Sequence, residues 1–154
     1  MGRLSPDLLD LTRFGFSVEI ATRYADLDPA GHINNVAMAA AFEDARLRFD
    51  VAVARLAMGR GRRVVVAAAH IDYLAEARYP APLEVYLAVL EIGRSSWSVG
   101  ELALQAGAPR AFCRATLVYI EDERPAPLPE TFRARLERQR LKPTSPPNSP
   151  VRSL

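Results

Sequence analysis

The chain has 154 residues, the length of one domain, and its 49% hydrophobic content is enough to bury a core. Its single cysteine excludes an internal disulfide, and no apolar run approaches the roughly 18 residues of a membrane-spanning helix. Residues 1–123 hold 13 Arg and 16 acidic residues, a net charge of −3, whereas residues 124–154 carry +5. A slightly acidic main part is a poor candidate for binding nucleic acid. Because the N-terminus also lacks a secretion signal, we expect a cytoplasmic protein.

Five strands are predicted from runs of apolar residues. The first, over residues 16–23, alternates apolar and polar positions and follows a loose lead-in over residues 1–13. The second is almost continuously apolar, which suits a strand covered on both faces and makes its His70 a core residue. Short turns join the last three, as in antiparallel hairpins. The four later strands are predicted over residues 64–73, 83–92, 96–105 and 110–121.

One long helix is predicted between the first two strands, over residues 36 to about 57. Apolar residues recur there at spacings of four and three, which places them on one face. Asn34 is a good N-cap, and glycines after residue 57 would end the helix. Asp44 and Arg48 lie one turn apart and can pair on the open side. The predicted buried stripe is Met38, Phe42, Ala45, Phe49, Ala52 and Leu56.

This order of elements predicts an α+β fold over residues 14–123, with one long central helix wrapped by a curved antiparallel sheet of about five strands. Such a sheet leaves an edge and a face to cover, so we expect a homodimer or homotetramer. Residues 124–141 are predicted to be a basic C-terminal extension with a short helix. Residues 142–154, rich in Pro and Ser, are expected to be disordered.

The segment between the first strand and the helix contains several polar side chains that could take part in catalysis. It holds Asp26, Asp28, a Pro-Ala-Gly turn and His32 immediately before the helix start. A turn at this place can aim a carboxylate at the first amides of the helix, which lack partners within it. This combination predicts a site that attacks a polarised carbonyl, although Asp28 could also merely cap its turn.

The same segment carries a family resemblance. Asp28-Pro29-Ala30-Gly31-His32-Ile33-Asn34-Asn35, followed by Phe42-Glu43-Asp44-Ala45-Arg46, resembles the signature of hotdog-fold acyl-CoA thioesterases of the 4-hydroxybenzoyl-CoA thioesterase-like family. The resemblance covers roughly residues 14–122 in order and spacing. Two positions depart from the family, which usually has Tyr where Met38 stands and Pro where Glu76 stands, so they bear on which acyl group is accepted. Further matching segments are Ile71-Asp72-Tyr73-Leu74, Leu83-Glu84-Val85 and Ile92-Gly93-Arg94-Ser95-Ser96-Trp97.

The resemblance implies the roles of the site residues. Asp28 would be the catalytic carboxylate, acting as base or nucleophile, and a backbone amide near Asn35 would polarise the carbonyl. His32 and Asn34 stand beside them as substrate-binding candidates. No cofactor is implied, and one Cys with two distant His residues does not predict a metal site.

Coenzyme A brings phosphates, for which Arg is the natural partner. Arg94, Ser95 and Ser96 match a family segment near the nucleotide, so they are predicted to bind the substrate. A second basic cluster, a weaker candidate, follows the helix at Arg60, Arg62 and Arg63.

Other carboxylates compete with Asp28. We expect Asp26 to make a local hydrogen bond and Glu43, on the helix, to pair with Arg46, although another hotdog branch uses a helix Glu. His32 is either a general base or a structural residue beside the helix cap. The predicted function is hydrolysis of an acyl-CoA thioester to free acid and CoA. The alternatives are an acyl-carrier-protein thioesterase on the same fold and a non-catalytic acyl-CoA-binding protein.

Overall fold

A computed structural model of the chain describes residues 4–54 and 61–144. Within these residues a strand is followed by a long helix, four long strands, a two-residue strand and a short helix, which confirms the predicted α+β order. The elements are β1 (Phe16–Ile20), α1 (Asn35–Phe49), β2 (Arg62–Tyr73), β3 (Leu83–Ile92), β4 (Ser96–Gln105), β5 (Ala108–Glu121), β6 (Arg124–Pro125) and α2 (Glu130–Arg138).

Strands β1 to β5 form one antiparallel sheet in the order β1-β3-β4-β5-β2, and β6 pairs with β5. Tight turns join β3, β4 and β5, as the sequence predicted. Three register irregularities, one in each of the pairs β2–β5, β3–β4 and β4–β5, interrupt the ladder and bend it. The sheet therefore curls into a half-barrel around α1.

Helix α1 starts where predicted, because the Asn34 side chain accepts a hydrogen bond from the Ala37 amide at 2.8 Å. After Phe49 the chain continues as a π-helical turn, Asp50–Ala54, and the rest of the predicted helix lies outside the described residues, with Leu56 and the glycines expected to end it. Ala52 is exposed, contrary to prediction, because the wider π-turn rotates it off the buried stripe. The stripe is buried at Met38, Phe42, Ala45 and Phe49.

The main core lies between α1 and the concave face of the sheet. The alternating residues of β3 that the sequence placed on one face are all buried there, as predicted. The C-terminal extension also belongs to this core, since Phe132 and Leu136 of α2 are buried in it. The short predicted helix therefore packs on the domain instead of standing apart from it. The alternating β3 residues are Leu83, Val85, Leu87 and Val89.

The convex face is covered by the N-terminal lead-in. Phe14, Leu102 and Phe112 form a second apolar cluster, and leucines between residues 4 and 11 pack against it. The lead-in is therefore not loose, because the apolar outer face of β3–β5 needs a cover. The described part of the tail is tied to it by a hydrogen bond from the Lys142 amide to the Arg13 carbonyl at 2.9 Å. The rest of the predicted disordered tail, from residue 145, lies outside the described residues.

Strand β2 departs from prediction. In a single protomer it is an edge strand and exposes much of its length, with Val66 at 48% and Tyr73 at 49% exposure. His70, predicted to be in the core, is exposed, and its ring lies 3.3 Å from the Asp72 carboxylate. The apolar run of β2 predicted a strand covered on both faces, but a single chain leaves much of this strand exposed.

Neither α1 nor α2 is long and apolar enough to cross a membrane, and the same holds for every helical segment within the described residues.

Candidate active site

Asp28 sits in a tight turn that fixes its carboxylate. Its Oδ1 accepts hydrogen bonds from the amides of Ala30 at 2.9 Å and His32 at 3.0 Å, while the Asp28 amide donates to the His32 carbonyl at 2.8 Å. These bonds, that of His32 above all, hold the pKa of Asp28 below its ordinary value of 3.8. The side chain therefore caps its turn and is also an ionised, oriented carboxylate at neutral pH.

The turn depends on Gly31, whose φ of +82° is strained for any other residue. We expect Gly31→Ala to cost roughly 1–2 kcal/mol of stability and to lower kcat by misplacing the carboxylate. Gly107, in the β4–β5 turn, is a matched control, since its φ is +74° and both glycines have open space where a Cβ would lie. Gly107→Ala should destabilise similarly in urea unfolding yet keep kcat. Equal kcat values for the two variants would contradict this role for the turn.

Asn34 ties the turn to the helix. Besides capping α1, its side-chain amide and its backbone amide each donate to the Asp26 carbonyl at 2.8 Å. Asp26 in turn makes an ion pair with Arg23 at 2.8 Å, and this contact lowers the pKa of Asp26. The expected local hydrogen bond of Asp26 is thereby confirmed. The side chains of Asn34 and Asp26 are therefore already engaged within the fold.

The first amides of α1 lie beside the Asp28 turn. In the described part of the chain, the backbone amides of Asn35 and Val36 have no hydrogen-bond partner, and they carry the positive end of the helix. Asp28, Asn34 and Asn35 line one open cavity of about 610 Å³. A carboxylate and free amide donors thus share a space into which a carbonyl group fits.

The ring of His32 contacts Glu76 and Arg78, and not Asp28. Its Nε2 lies 2.9 Å from the Glu76 carboxylate and 3.2 Å from the Arg78 guanidinium, and it is the His32 backbone that contacts Asp28. Glu76, the departure from the family pattern, is therefore a partner of His32. This geometry favours the structural alternative for His32. The other departure, Met38, is buried in the core at 3% exposure.

Arg94, Ser95 and Ser96 are not brought to Asp28 within one protomer. Arg94 and Ser95 form the β3–β4 turn and Ser96 begins β4, whereas the Asp28 segment follows β1 near the other end of β3. Ten residues of β3 separate the two ends, about 30 Å. The Arg94 side chain is exposed, and its carbonyl accepts a hydrogen bond from the Leu128 amide at 2.9 Å.

The second basic cluster is largely neutralised. Arg62 pairs with Glu121 at 2.8 Å and Arg63 with Glu123 at 2.5 Å, while Arg60 lies outside the described residues. These pairs leave little charge for a phosphate.

A larger cavity, which sequence reasoning missed, lies between the C-terminal half of α1 and strands β2 and β5. Its volume is about 680 Å³, and apolar side chains such as Val64 and Leu117 form much of its wall. Glu43 lines it and is exposed, whereas Arg46 donates to the fully buried Glu101 instead of to Glu43. The predicted Glu43–Arg46 pair is thus wrong, because the fold offers Arg46 a carboxylate on β4, 55 residues away.

Two carboxyl groups near this cavity are short of partners. Oδ1 of Asp50 and Oε2 of Glu101 are buried, and within the described residues neither has a hydrogen-bond partner. Burial raises the pKa of Asp50 to about 6, partly offset by Arg46. Burial also raises the pKa of Glu101 above its ordinary 4.5, again opposed by Arg46. The guanidinium of Arg46 therefore lowers the pKa of two carboxyl groups, those of Asp50 and Glu101.

Because Asp50 and Glu101 are two buried carboxyl groups with one cation, Arg46, between them, we predict that the stability of the protein depends on pH. Because the pKa of Asp50 in the folded state exceeds its ordinary 3.8, the stabilising contribution of the protonated form is lost as the pH rises through about 6. Asp50→Asn keeps the shape without the charge and should raise the free energy of unfolding by about 1–3 kcal/mol near pH 8. The difference should vanish near pH 4. Urea unfolding at both pH values tests this, and a difference that is the same at both would contradict it.

No group of three or more His, Cys, Asp and Glu side chains suited to a metal ion occurs between residues 4 and 54 or between 61 and 144.

Comparison with known proteins places the chain among thioesterases. The model of the family described as the thioesterase-like superfamily matches residues 22–136. A thioesterase from Thermus thermophilus, crystallised with coenzyme A and Zn, is 32% identical over 86% of this chain and 98% of its own, with a TM-score of 0.76. A predicted thioesterase from Bacillus stearothermophilus is 28% identical over 84% of this chain and 98% of its own, with a TM-score of 0.72.

A curated relative matches over a shorter stretch. The uncharacterised protein YsmA of Bacillus subtilis (strain 168) is 28% identical over 85 residues, which is 55% of this chain. The match spans 58% of the length of YsmA.

Proposed function

Because this chain belongs to the thioesterase-like superfamily, we propose that it hydrolyses acyl-CoA thioesters to the free acid and CoA, with Asp28 as the catalytic carboxylate. Family membership makes the chain a thioester hydrolase, and the long helix within a curved antiparallel sheet is the hotdog fold that the sequence predicted. The observation that carries the proposal is the fixed carboxylate of Asp28 beside the amides of Asn35 and Val36, which have no partner within residues 4–54 and 61–144.

The chemistry follows from these groups. An amide of the helix start donates to the thioester oxygen and stabilises the negative charge that develops there. The ionised Asp28 either takes a proton from water, whose oxygen then attacks the carbonyl carbon, or attacks that carbon itself. In the first route the C–S bond of the tetrahedral intermediate breaks, and the leaving CoA thiolate takes the proton that Asp28 accepted. In the second route the CoA thiolate leaves behind an acyl–Asp28 anhydride, and water then hydrolyses this anhydride to the free acid and restores the Asp28 carboxylate. Both routes require the ionised carboxylate that the turn amides favour.

We further propose a homodimer formed through β2. This edge strand exposes apolar side chains, including Val66 and Tyr73, that an isolated chain would leave in water. Antiparallel pairing of two copies of β2 would join the two sheets across a two-fold axis and cover both edges. Light scattering after size exclusion tests this, with a dimer expected; a monomer at micromolar concentration would contradict it.

Such a dimer would complete the active site. Tyr73 donates from its hydroxyl to the Asn35 carbonyl at 3.4 Å, so the helix start lies beside the end of β2, whereas Val64 lines the large cavity at its beginning. Antiparallel pairing puts the end of one β2 beside the beginning of the other. Asp28 of one protomer would then face the large cavity of its partner and the partner's Arg94 turn.

Distances within one chain support this arrangement. The cavity-lining residues of α1 lie roughly 12 Å or more along the helix from Asn35. Only a long acyl group could span that gap inside one protomer. In the proposed dimer the acyl group would enter the partner's cavity, and the CoA phosphates would lie near the partner's Arg94, Ser95 and Ser96.

The test of the proposed function is release of free CoA from a panel of aliphatic and aromatic acyl-CoAs. Turnover of at least one member is expected. The same acyl groups carried on acyl carrier protein form the second arm, since the main part of the chain is slightly acidic and carrier proteins are acidic. Turnover of carrier-protein thioesters alone, or tight binding without turnover, would contradict the proposal.

A further inference from the structure

The large cavity holds more acidic than basic groups. Glu43 and Asp50 line it, and Arg46 is the cation among the lining residues that the structure describes. Arg46 is already hydrogen-bonded to Glu101, which is completely buried. Asp50 and Glu101 thus share the Arg46 guanidinium, and Glu43 adds a further carboxylate at the exposed part of the wall. A ligand that brings positive charge would restore the balance, whereas an anionic ligand would be repelled.

Two unpaired acceptors belong to groups at or behind the wall of this cavity, since Asp50 lines it and Glu101 is bonded to Arg46 of the wall. Asp50 and Glu101 each keep a buried oxygen without a donor among the described residues, and buried acceptors without donors are costly. The indole N–H of Trp97, which also lines the cavity, is a donor without a partner in the part of the chain that the structure describes. Burial raises the pKa of Asp50 to about 6, and Arg46 offsets this only in part. The groups in need of partners are therefore chiefly acceptors.

Two aromatic rings complete the wall. Trp97 of β4 and Phe132 of α2 both line the cavity, with ring centroids 5.1 Å apart and planes at 74°. Trp97 is 2% exposed, so a cation against its ring would be shielded from water. Cation–π attraction is strongest for Trp and grows with desolvation. Carboxylates beside aromatic rings form an environment suited to a cationic amine.

From these features we infer that the acyl group bound in this cavity carries a positively charged amino group at its far end, which pairs with Asp50 and lies against Trp97. The inference rests on the proposed thioester hydrolysis and adds the class of its substrate. The apolar wall formed by Val64 and Leu117 would hold the methylene chain between the thioester and the amine.

The test uses three matched substrates with the full-length protein: ω-aminooctanoyl-CoA, ω-hydroxyoctanoyl-CoA and nonanoyl-CoA. We expect kcat/KM for the amino substrate to exceed that for nonanoyl-CoA about tenfold, with the hydroxyl substrate between them. Asp50→Asn should remove most of this preference. The control is Asp44→Asn, the same change on the same chain in a carboxylate that pairs with Arg48 outside this cavity. It should keep the preference.

The outcomes separate this inference from the proposed function. Turnover of all three substrates without an amino preference, or a preference for the hydroxyl substrate, would overturn the inference and leave hydrolysis standing. A preference that survives in Asp50→Asn but disappears in Glu43→Gln would also overturn it.

If no substrate is turned over, the proposed hydrolysis is wrong, and the inference is then tested by calorimetric binding of the corresponding CoA thioethers. Tighter binding of the amino thioether by wild type than by Asp50→Asn would support it, and equal binding would refute it.

Discussion

Replacing Asp28 by Asn is expected to lower kcat about 10²–10⁴-fold, the range typical for loss of a catalytic acid or base. The amide oxygen of Asn can still accept the hydrogen bonds from Ala30 and His32, so the turn should keep its shape. What the substitution removes is the negative charge and the basicity. Free-CoA release measures the effect, and circular dichroism with size exclusion establishes that the variant remains folded.

The matched control for this substitution is Asp44→Asn, which changes an exposed carboxylate paired with Arg48 at 2.8 Å. Its kcat should stay within about twofold of wild type, since surface ion pairs contribute little. Unchanged turnover in Asp28→Asn would mean that the catalytic carboxylate was misassigned. Glu43→Gln and Asp26→Asn would then be the next variants to measure.

The second large effect is recovery of activity when two inactive variants are combined. Asp28→Asn removes the catalytic carboxylate, and Leu47→Trp is expected to block the large cavity, which Leu47 lines at 59% exposure. If each site takes Asp28 from one protomer and the cavity from the other, a mixed dimer contains one intact site. The isolated mixed dimer should then have roughly half of wild-type activity, and an unfractionated random mixture roughly a quarter, although each variant alone is inactive.

Co-expression with two different affinity tags yields the mixed dimer for this assay. A site confined to one protomer would leave the mixed dimer inactive, because each protomer would still lack one essential part. Both homodimers must elute as dimers, since Leu47 is exposed on α1 and could contribute to the contact between protomers. The result therefore distinguishes a shared site from a site within one chain, independently of which acyl group is used.

The local parts of the site were predictable because they depend on residues close in sequence. Asn34 caps α1 through the amide three residues later, and the Asp28 turn closes within four residues. Short-range bonds of this kind follow from residue type and spacing alone. The strand limits were also close to prediction, since β3 and β4 carry clear apolar patterns and the turns between strands are short.

The large cavity was not predictable in the same way. Arg46 has Glu43 three residues away, the ordinary spacing for a helical pair, yet it bonds with Glu101 on β4. The inward direction of Arg46 is decided by how α1 lies on the sheet. Phe132 comes from an extension that the sequence marks mainly as basic, and only the packing of α2 brings it against Trp97.

By itself, the sequence determined the order of the elements, the start of α1, the Asp28 turn and the family, because helix caps, turns and apolar periodicity are set by neighbouring residues. The tertiary structure decided which strand lies at the edge, which carboxylate Arg46 binds, and that Arg94 stands at the far end of the sheet from Asp28. These are contacts between residues distant in the chain. They depend on sheet order and on the docking of α1 and α2, which residue spacing does not encode.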